Sequence, residues 1–302
     1  MRLRHLFPVL FLMGPLACAT GPVHRAATAP IVAVHRAPGE LRVMTFNIQS
    51  GARGLERVAH VIRAAVPDIV ALQEVDVGST RARGLDQTAE LSRLTGLKYR
   101  AHFRTTDLYG GAYGIALLSR FPLEALAQYP LPVPRGAEPR TLAHAVVEVD
   151  GREVSVYLTH LIRRPFNGSV RVRQSAYVAR LMARDSRPKL LMGDLNDGPD
   201  SHSTRLLRRE LQDVVADTGT TGGTYPLPLF LPTLRIDYVL ACEAFTPMSS
   251  RVLRVDASDH YPVVADLRLE LDAAPPAVAE RGGPAAARRE PTAGGHAIGA
   301  AL

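Results

Sequence analysis

Five short segments that combine carboxylate, amide and imidazole side chains follow one another along the chain, each beside an apolar run. They occupy residues 45–49, 72–75, 193–196, 235–238 and 258–261. Their oxygen atoms suit a hard divalent cation, Mg²⁺ with Mn²⁺ as the alternative, and the late histidine suits proton transfer or charge stabilisation. A lone segment of this kind is usually an ordinary turn or surface feature. The ordered set indicates hydrolysis of a phosphate ester by a metal-activated water.

Three residues are candidates for the metal shell. Glu74 follows an apolar run, so a strand could deliver its carboxylate to the edge of a sheet, where Mg²⁺ needs few protein ligands and keeps several waters. A surface salt bridge is the alternative for Glu74. Asn47 also follows an apolar run, and it either caps a turn or orients the metal and the substrate phosphate. Asp259, beside His260, is a candidate for an additional ligand.

Five further residues are candidates for catalysis. Asp194 and Asn196 lie two positions apart, so on an extended segment both would point to one face. The carboxylate could then orient or deprotonate a water while the amide polarises a phosphoryl oxygen. Asp237 and His260 are interpreted as a pair in which the carboxylate fixes the imidazole tautomer. His160 could donate to a phosphoryl oxygen, and a buried core histidine is the alternative.

These residues require strands that end close together. Apolar runs predict strands at residues 41–48, 69–73, 114–119, 143–149, 154–159, 189–193, 236–240 and 261–269. Amphipathic patterns and end signals predict helices at residues 54–65, 86–94, 170–184 and 201–211. This mixture of alternation and hairpin-like pairs indicates a mixed sheet system. Each segment is expected at the C-terminal end of a strand or just after it, where ligand sites of layered α/β domains form.

The composition is that of a globular domain with an excess of arginine. The chain has 302 residues, is 46% hydrophobic, and carries a formal charge of +7. That charge favours an anionic partner such as nucleic acid, a phosphoinositide or a lipid headgroup surface. The alternative is an arginine-rich surface with no binding role, because the arginines are scattered. The sequence contains no serine-nucleophile elbow, Walker loop or Cys/His zinc spacing, which disfavours a covalent serine or cysteine route.

The two ends of the chain predict export and disorder. Residues 1–18 have a basic start and a short apolar run, which is typical of an export signal. Leu16-Ala17-Cys18 resembles a lipoprotein cleavage box, with Cys18 acylated and anchored to the membrane; ordinary cleavage and soluble secretion are the alternative. Residues 19–40 are predicted to be a flexible tether, residues 41–271 one domain, and residues 272–302 a disordered tail. Cys242 is predicted to be a small core residue.

The ordered segments resemble the endonuclease/exonuclease/phosphatase family of Mg²⁺-dependent phosphoesterases over residues 41–271. The family includes secreted deoxyribonucleases, abasic-site endonucleases, inositol-polyphosphate 5-phosphatases and neutral sphingomyelinases. The resemblance implies a four-layer α/β sandwich, in which two packed mixed β-sheets are flanked by helices. It also implies one shared site: Glu74, Asn47 and Asp259 at the metal, and His160, Asp194, Asn196, Asp237 and His260 in catalysis. Whether the Asp or the His is the base, and whether one or two metals bind, stay open.

Specificity must come from loops. Residues 161–173 contain Arg163, Arg164, Arg171 and Arg173, which form either a grip on a polyanion or a solvated helix start. Arg140 either contacts a phosphate or pairs with Glu138. The proline-rich residues 225–234 are expected to be a rigid connection rather than a rim of the cleft.

The expected function is that of an exported Mg²⁺-dependent phosphodiesterase or phosphatase, in the cell envelope or secreted. The alternative within this class is a secreted or envelope nuclease that acts on DNA or RNA. The alternative of another class is a catalytically silent module that binds lipid or nucleic acid. We expect a monomer and infer no protein partner. An export signal disfavours an abasic-site repair role, because such an enzyme needs access to the chromosome.

Overall fold

The computed structural model describes residues 36–163, 165–228 and 233–271. The predicted signal at residues 1–18, the tether up to residue 35, Arg164 and the predicted tail at residues 272–302 lie outside the described residues. Arg36 already packs on the domain, because its Nε donates to Asp68 at 2.6 Å and its Nη2 donates to the Val66 carbonyl at 2.7 Å. Within the described ranges, no helix is both long enough and apolar enough to cross a membrane.

Two six-stranded mixed sheets form the centre of the molecule. The first sheet has β1 (Glu40–Asn47), β2 (Ile69–Val77), β3 (Tyr99–Leu108), β4 (Gly111–Ser119), β11 (Phe245–Val252) and β12 (Val263–Leu269), in the order β11-β12-β1-β2-β4-β3. The second has β5 (Glu124–Leu131), β6 (Arg140–Val149), β7 (Arg152–His160), β8 (Lys189–Asp194), β9 (Gln212–Asp213) and β10 (Asp237–Ala241), in the order β5-β6-β7-β8-β10-β9. Each sheet has one parallel pair, β1 with β2 and β7 with β8.

Helices cover the outer faces of both sheets. They are α1 (Leu55–Ala65), α2 (Gln87–Thr95), α3 (Gly168–Met182) and α4 (His202–Leu207). A further short helix, α5 (Val214–Asp217), instead contributes Val214 and Val215 to the cluster between the sheets. One apolar cluster joins α1 and α2 to the first sheet, a second joins α3 and α4 to the second sheet, and a third lies between the sheets. This arrangement confirms the four-layer α/β sandwich that the sequence resemblance implies.

Strands buried on both faces explain why so many strands could be predicted from apolar runs. In β1, Val43 packs between the two sheets, whereas its neighbours Met44 and Phe46 belong to the cluster beneath α1. Since successive residues of a strand point to opposite faces, a central strand of a layered domain carries apolar residues on both faces. Full burial of each such side chain stabilises the fold by about 1.5–3 kcal/mol.

The four strands that the sequence did not predict are the four sheet edges: β3, β11, β5 and β9. An edge strand has one pairing partner and a solvent-facing side, so it needs no continuous apolar run. β5 and β11 even contain Pro130 and Pro247, a residue that edge strands tolerate. The expected helix at residues 201–211 is shorter, because α4 ends at Leu207.

The expectation that every segment lies at the C-terminal end of a strand is wrong for Glu74, which lies inside β2, and for two later residues. Asp237 opens β10, and His260 precedes β12. Both strands run antiparallel to a neighbour, β10 to β8 and β12 to β1. Their first residues therefore lie beside the last residues of those neighbours, and Asp237 is paired directly with Asp194. Antiparallel pairing thus brings the first residue of one strand to the same end of the sheet as the last residue of its neighbour.

Candidate active site

The five predicted segments meet at one cleft, which lies between the two sheets near the ends of their central strands. The cleft has a volume of about 520 Å³. Six of the eight predicted site residues line it: Glu74, His160, Asp194, Asn196, Asp259 and His260. The other two, Asn47 and Asp237, are buried directly behind these and contact them. The structure thus brings all eight together.

A β-bulge aims Glu74 into the cleft. The pairing of β2 with β4 shifts between Gln73 and Val75, so Glu74 is left outside the ladder. Its φ angle is +58°, in the left-handed region that a residue with a Cβ adopts at a cost of about 1–2 kcal/mol. Bulges of this kind redirect a side chain without ending the strand. The local strain therefore positions the Glu74 carboxylate at the site.

Asn47 links carboxylates that belong to different sheets. Its Nδ2 donates to Glu74 Oε1 at 3.0 Å and to Asp194 Oδ2 at 3.3 Å. Its Oδ1 accepts from the backbone N–H of Gln49 at 3.1 Å. Because a backbone N–H can only donate, this bond fixes the amide orientation. The contacts give Asn47 a positioning role, and its predicted role as a metal ligand stays a prediction.

Asp194 and Asn196 approach each other through a tight turn and not, as expected, along an extended segment. Asn196 has a φ angle of +52°, and its backbone N–H donates to Asp194 Oδ1 at 2.8 Å. Its side chain donates to the Leu161 carbonyl at 3.1 Å. Gly193 precedes the pair at a position where a Cβ would lie only 1.9 Å from the Thr159 carbonyl oxygen. Close packing of β7 on β8 thus requires glycine here.

Two histidines approach the same carboxylate oxygen of Asp194. His260 Nδ1 lies 2.9 Å from Asp237 Oδ2, so the ring donates to this carboxylate and its Nε2 faces the cleft, 3.8 Å from Asp194 Oδ2. His160 Nε2 lies 3.4 Å from the same Asp194 oxygen. The ring of Tyr225 lies 4.8 Å from that of His260 and covers it.

Burial and charge give the two histidines opposite protonation. Burial and the nearby Arg140 charge hold the pKa of His160 well below its usual range. Burial alone would also lower the pKa of His260, but the Asp237 carboxylate, followed by Asp194, raises it to about 10. Near neutral pH, His160 is therefore a neutral ring that can donate or accept, whereas His260 is a cation.

The negative charge of the carboxylates at the site is disfavoured by burial and by their mutual repulsion. A bound cation would offset both effects. Burial raises the pKa of Glu74, and burial together with the Asp237 charge raises the pKa of Asp194. Asp237 Oδ1 is buried and has no hydrogen-bond partner among the described residues. These groups provide the carboxylate oxygens that Mg²⁺ prefers.

The side chains of the site offer two overlapping positions for a cation. The ligand atoms of Asp194, Asp237 and His260 all lie within 4.8 Å of one another. However, His260 Nδ1 already donates to Asp237, and a protonated imidazole is not a ligand. We therefore favour the other position, where Glu74 and Asp194 would hold a hard cation with Asp259 nearby. The residues present fit such an ion.

The structure separates the arginines that the sequence grouped. Arg163 lines the cleft. Arg171 is buried in an ion pair with Asp197 at 2.9 Å, so neither of its two predicted roles, a grip on a polyanion or a solvated helix start, holds. Arg173 lies in a different hollow beside Tyr177. The charge of a helix start alone could not distinguish these three environments.

Three further cleft residues were not among the predicted site residues. Arg140 is 94% buried and both pairs with Glu138 and lines the cleft, and its Nε has no partner in the described part of the chain. Arg81 lines the cleft and holds Asp76 with two hydrogen bonds, a role that no sequence motif marks. Tyr225 also lines the cleft, so the expectation that residues 225–234 are only a rigid connection is wrong. Their four central residues, 229–232, lie outside the described ranges.

Comparisons with known proteins agree with this geometry. A family model described as the Endonuclease/Exonuclease/phosphatase family matches residues 44–260. The solved endonuclease/exonuclease/phosphatase from Beutenbergia cavernae is 32% identical, with a TM-score of 0.64, over 76% of this chain and 72% of that chain. No curated protein matches the chain.

Two solved structures of lower identity share the fold. The human Nocturnin catalytic domain with bound sulfate is 20% identical, with a TM-score of 0.61, over 76% of this chain and 94% of that chain. A mannosyl-6-phosphatase from Bacteroides thetaiotaomicron is 16% identical, with a TM-score of 0.62, over 75% and 99% of the two chains. The family model and the first structure confirm the resemblance recognised in the sequence. The chain belongs to the endonuclease/exonuclease/phosphatase family, whose members are hydrolases that act on phosphate esters.

Proposed function

We propose that the protein is an exported, Mg²⁺-dependent phosphodiesterase that hydrolyses its ester with water. The observation that carries this proposal is the Asn47 amide, which joins Glu74 of the first sheet to Asp194 of the second inside one cleft. Members of the family depend on a divalent metal, and the buried carboxylates offer the hard oxygen ligands that favour Mg²⁺ over softer ions. Export is proposed from the residues that precede the described domain.

The residues of the chain divide the chemistry among them. When bound, the metal would polarise a phosphoryl oxygen and neutralise its charge. Asp194, held by the Asn196 backbone N–H, is placed to orient the attacking water or take its proton. The cationic His260, fixed by Asp237, can stabilise charge that develops on the phosphoryl group or the leaving oxygen. Neutral His160 can donate a hydrogen bond to the phosphoryl group.

The shape of the cleft supports a diester. Besides the carboxylates, its lining includes Leu108 and Tyr113 from the first sheet and Leu227 and Leu234 from the loop before β10. A volume of about 520 Å³ is that of a site for a small organic ligand rather than for a bare phosphate. Both ester groups of a diester therefore find surface to contact.

A nuclease is the second candidate, and the formal charge of +7 favours it. The cleft itself favours it less, because two of its arginines are already neutralised. Arg81 is paired with Asp76, and Arg140 is paired with Glu138. A strand of nucleic acid carries several phosphates and needs several available cations along its path.

The test is hydrolysis by the purified protein of bis-p-nitrophenyl phosphate and, separately, of plasmid DNA. We expect turnover of the small diester in Mg²⁺ or Mn²⁺, its loss in EDTA, and its recovery when metal is restored. Glu74→Gln should abolish turnover, whereas the exposed Glu243→Gln should match the parent. Turnover that persists in EDTA would overturn the metal assignment, and inactivity on every ester would support a silent module.

Export requires its own measurement. Fractionation of producing cells should place the protein in the envelope or the medium, and a labelled fatty acid should be incorporated only while Cys18 is present. Label that persists in Cys18→Ala would refute acylation at this residue. Accumulation of the unprocessed chain in the cytoplasm would refute export.

A further inference from the structure

The mouth of the cleft carries large apolar side chains that face solvent. Among the described residues, three exposed large apolar side chains lie on loops that border the cleft: Leu85, Tyr109 and Phe166. Phe166 is 99% exposed and Tyr109 is 59% exposed. Single exposed apolar residues are ordinary on protein surfaces. Here, however, Tyr109 and Phe166 each follow a residue that lines the cleft, and exposed apolar side chains grouped beside a site mark an interaction surface.

These side chains flank the cleft from both sheets. Tyr109 follows Leu108, which lines the cleft, in the hairpin between β3 and β4 of the first sheet. Phe166 follows Pro165, which also lines the cleft, between β7 of the second sheet and α3. The two loops therefore border the cleft from both sheets, and a surface that contacts both loops would lie next to the cleft.

Hydrogen bonds order the backbone of the two loops that carry these side chains. The Tyr109 carbonyl accepts from the Thr80 backbone N–H at 2.8 Å, and the Tyr109 ring lies 4.7 Å from the Arg81 guanidinium. The loop that carries Phe166 is closed by Asn167 Nδ2, which donates to the Arg163 carbonyl at 2.8 Å. The exposure of both rings is thus built into turns of defined geometry.

Cationic side chains accompany the apolar ones. Arg83 lies near Leu85 and is exposed, and Arg163 lies near Phe166 and is exposed. Arginine beside exposed aromatic and aliphatic groups matches a surface with an anionic layer over an apolar interior. The formal charge of +7 on the whole chain acts in the same direction.

We propose that the loops bearing Tyr109 and Phe166 dock the open cleft on an anionic lipid surface. The proposal deepens the proposed function and rests on it for the chemistry: the substrate is a phosphodiester whose headgroup stands at that surface. Docking places the cleft over the headgroup layer, so the ester reaches Glu74 and His260 without leaving the membrane.

A nucleic acid fits these loops less well. Bases stack on aromatic faces, but Leu85 and Pro165 have no such face, and single-stranded nucleic acid also needs a continuous cationic groove. Arg81 and Arg140 of the cleft are neutralised by Asp76 and Glu138. The apolar interior of a lipid layer accommodates leucine, proline, tyrosine and phenylalanine side chains alike.

Vesicle binding by the full chain tests the proposal. All variants carry Cys18→Ser, so that an attached lipid cannot contribute. The docking pair is Tyr109→Ser with Phe166→Ser. The control pair is Leu126→Ser with Met248→Ser, which removes two exposed apolar side chains from the edge strands β5 and β11. Sedimentation measures binding to vesicles of phosphatidylcholine alone or of phosphatidylcholine mixed equally with phosphatidylglycerol.

We expect the parent and the control pair to bind the anionic vesicles alike, and the docking pair to bind them about tenfold more weakly or worse. All three should hydrolyse bis-p-nitrophenyl phosphate at the same rate. Equal loss in both pairs, or no preference of the parent for anionic vesicles, would overturn the proposal. So would a docking pair that loses affinity for single-stranded DNA but keeps its affinity for vesicles. Failure of the soluble assay refutes the proposed function, and vesicle binding still decides the docking surface.

Discussion

The imidazole of His260 donates from Nδ1 to the carboxylate of Asp237 across a distance of 2.9 Å, and the two residues come from different sheets. Asp237 opens β10 of the second sheet, and His260 precedes β12 of the first. The pair is nearly inaccessible to water. The packing of the sheets therefore sets the position and the charge of the imidazole, and the site exists only in the folded sandwich.

Asp237→Asn should lower the pKa of His260, because the Asp237 carboxylate is the principal charge that raises it to about 10. The cationic form of His260 would then be lost at lower pH, so the alkaline limb of the pH–rate profile should move toward neutrality. We also expect kcat to fall by about 10²–10⁴-fold. NMR titration of the imidazole measures the shift, and Asp217→Asn, at an exposed position, is the control. An unchanged titration would disprove the coupling.

Glu74→Gln should abolish stabilisation of the fold by Mg²⁺. In the parent, metal that binds only the native state adds about 2.7 kcal/mol at a hundredfold excess over Kd. Without metal, the variant should be as stable as the parent or more so, since it removes a partly buried carboxylate whose pKa is raised by desolvation. Thermal unfolding with and without Mg²⁺ measures both effects. A Mg²⁺-dependent rise in Tm that survives in the variant would place the ion elsewhere.

The fold could be predicted largely because its central strands are buried on both faces. β1, β2, β7 and β8 are buried at most positions and each contains an apolar run. Asn47, His160 and Asp194 end their strands, and Glu74 follows the apolar run inside β2. The edge strands escaped prediction because solvent on one side removes the apolar signal. The bulge at Glu74 also escaped, since it depends on the register of β2 against β4 and not on local sequence.

The site could be predicted as a set of residues but not as a geometry. Residue types and order predicted that Asp237 and His260 act together, whereas the antiparallel pairing that makes this possible was not visible in the sequence. Arg171 shows that sequence context can also suggest a role that the folded structure does not allow. Its sequence context fits an anion grip, and only the folded chain shows that Asp197 occupies its guanidinium. Side-chain partners that lie far apart in sequence are fixed by packing alone.

Because of His144, the free energy of unfolding should be smaller in mild acid than at neutral pH. Burial lowers the pKa of this imidazole, which stacks on Tyr157 and lies 3.1 Å from Ser155 Oγ, with Asp185 and Arg187 as the nearby charges. The unfolded chain binds the proton more readily, so the contribution to stability is present above pH 6.5 and is lost as the pH falls from there through the lowered pKa. His144→Gln should flatten the dependence of the unfolding free energy on pH over that window, measured by urea denaturation. An equally steep dependence in the variant would assign the effect to other histidines.

Arg140→Gln should reduce stabilisation of the transition state more than it reduces the affinity for substrate. The guanidinium is buried at the cleft with Nε unpartnered among the described residues, which places a fixed donor where phosphoryl charge develops. We expect kcat to fall by about 10²–10³-fold, a loss typical of a removed transition-state donor, with a smaller change in KM. Arg140→Lys should recover little, because the pairing with Glu138 depends on the planar guanidinium. Arg173→Gln, in the separate hollow beside Tyr177, is the matched control. Steady-state kinetics on bis-p-nitrophenyl phosphate decide the matter, and a rise in KM alone would show that Arg140 holds the ground state and the transition state equally.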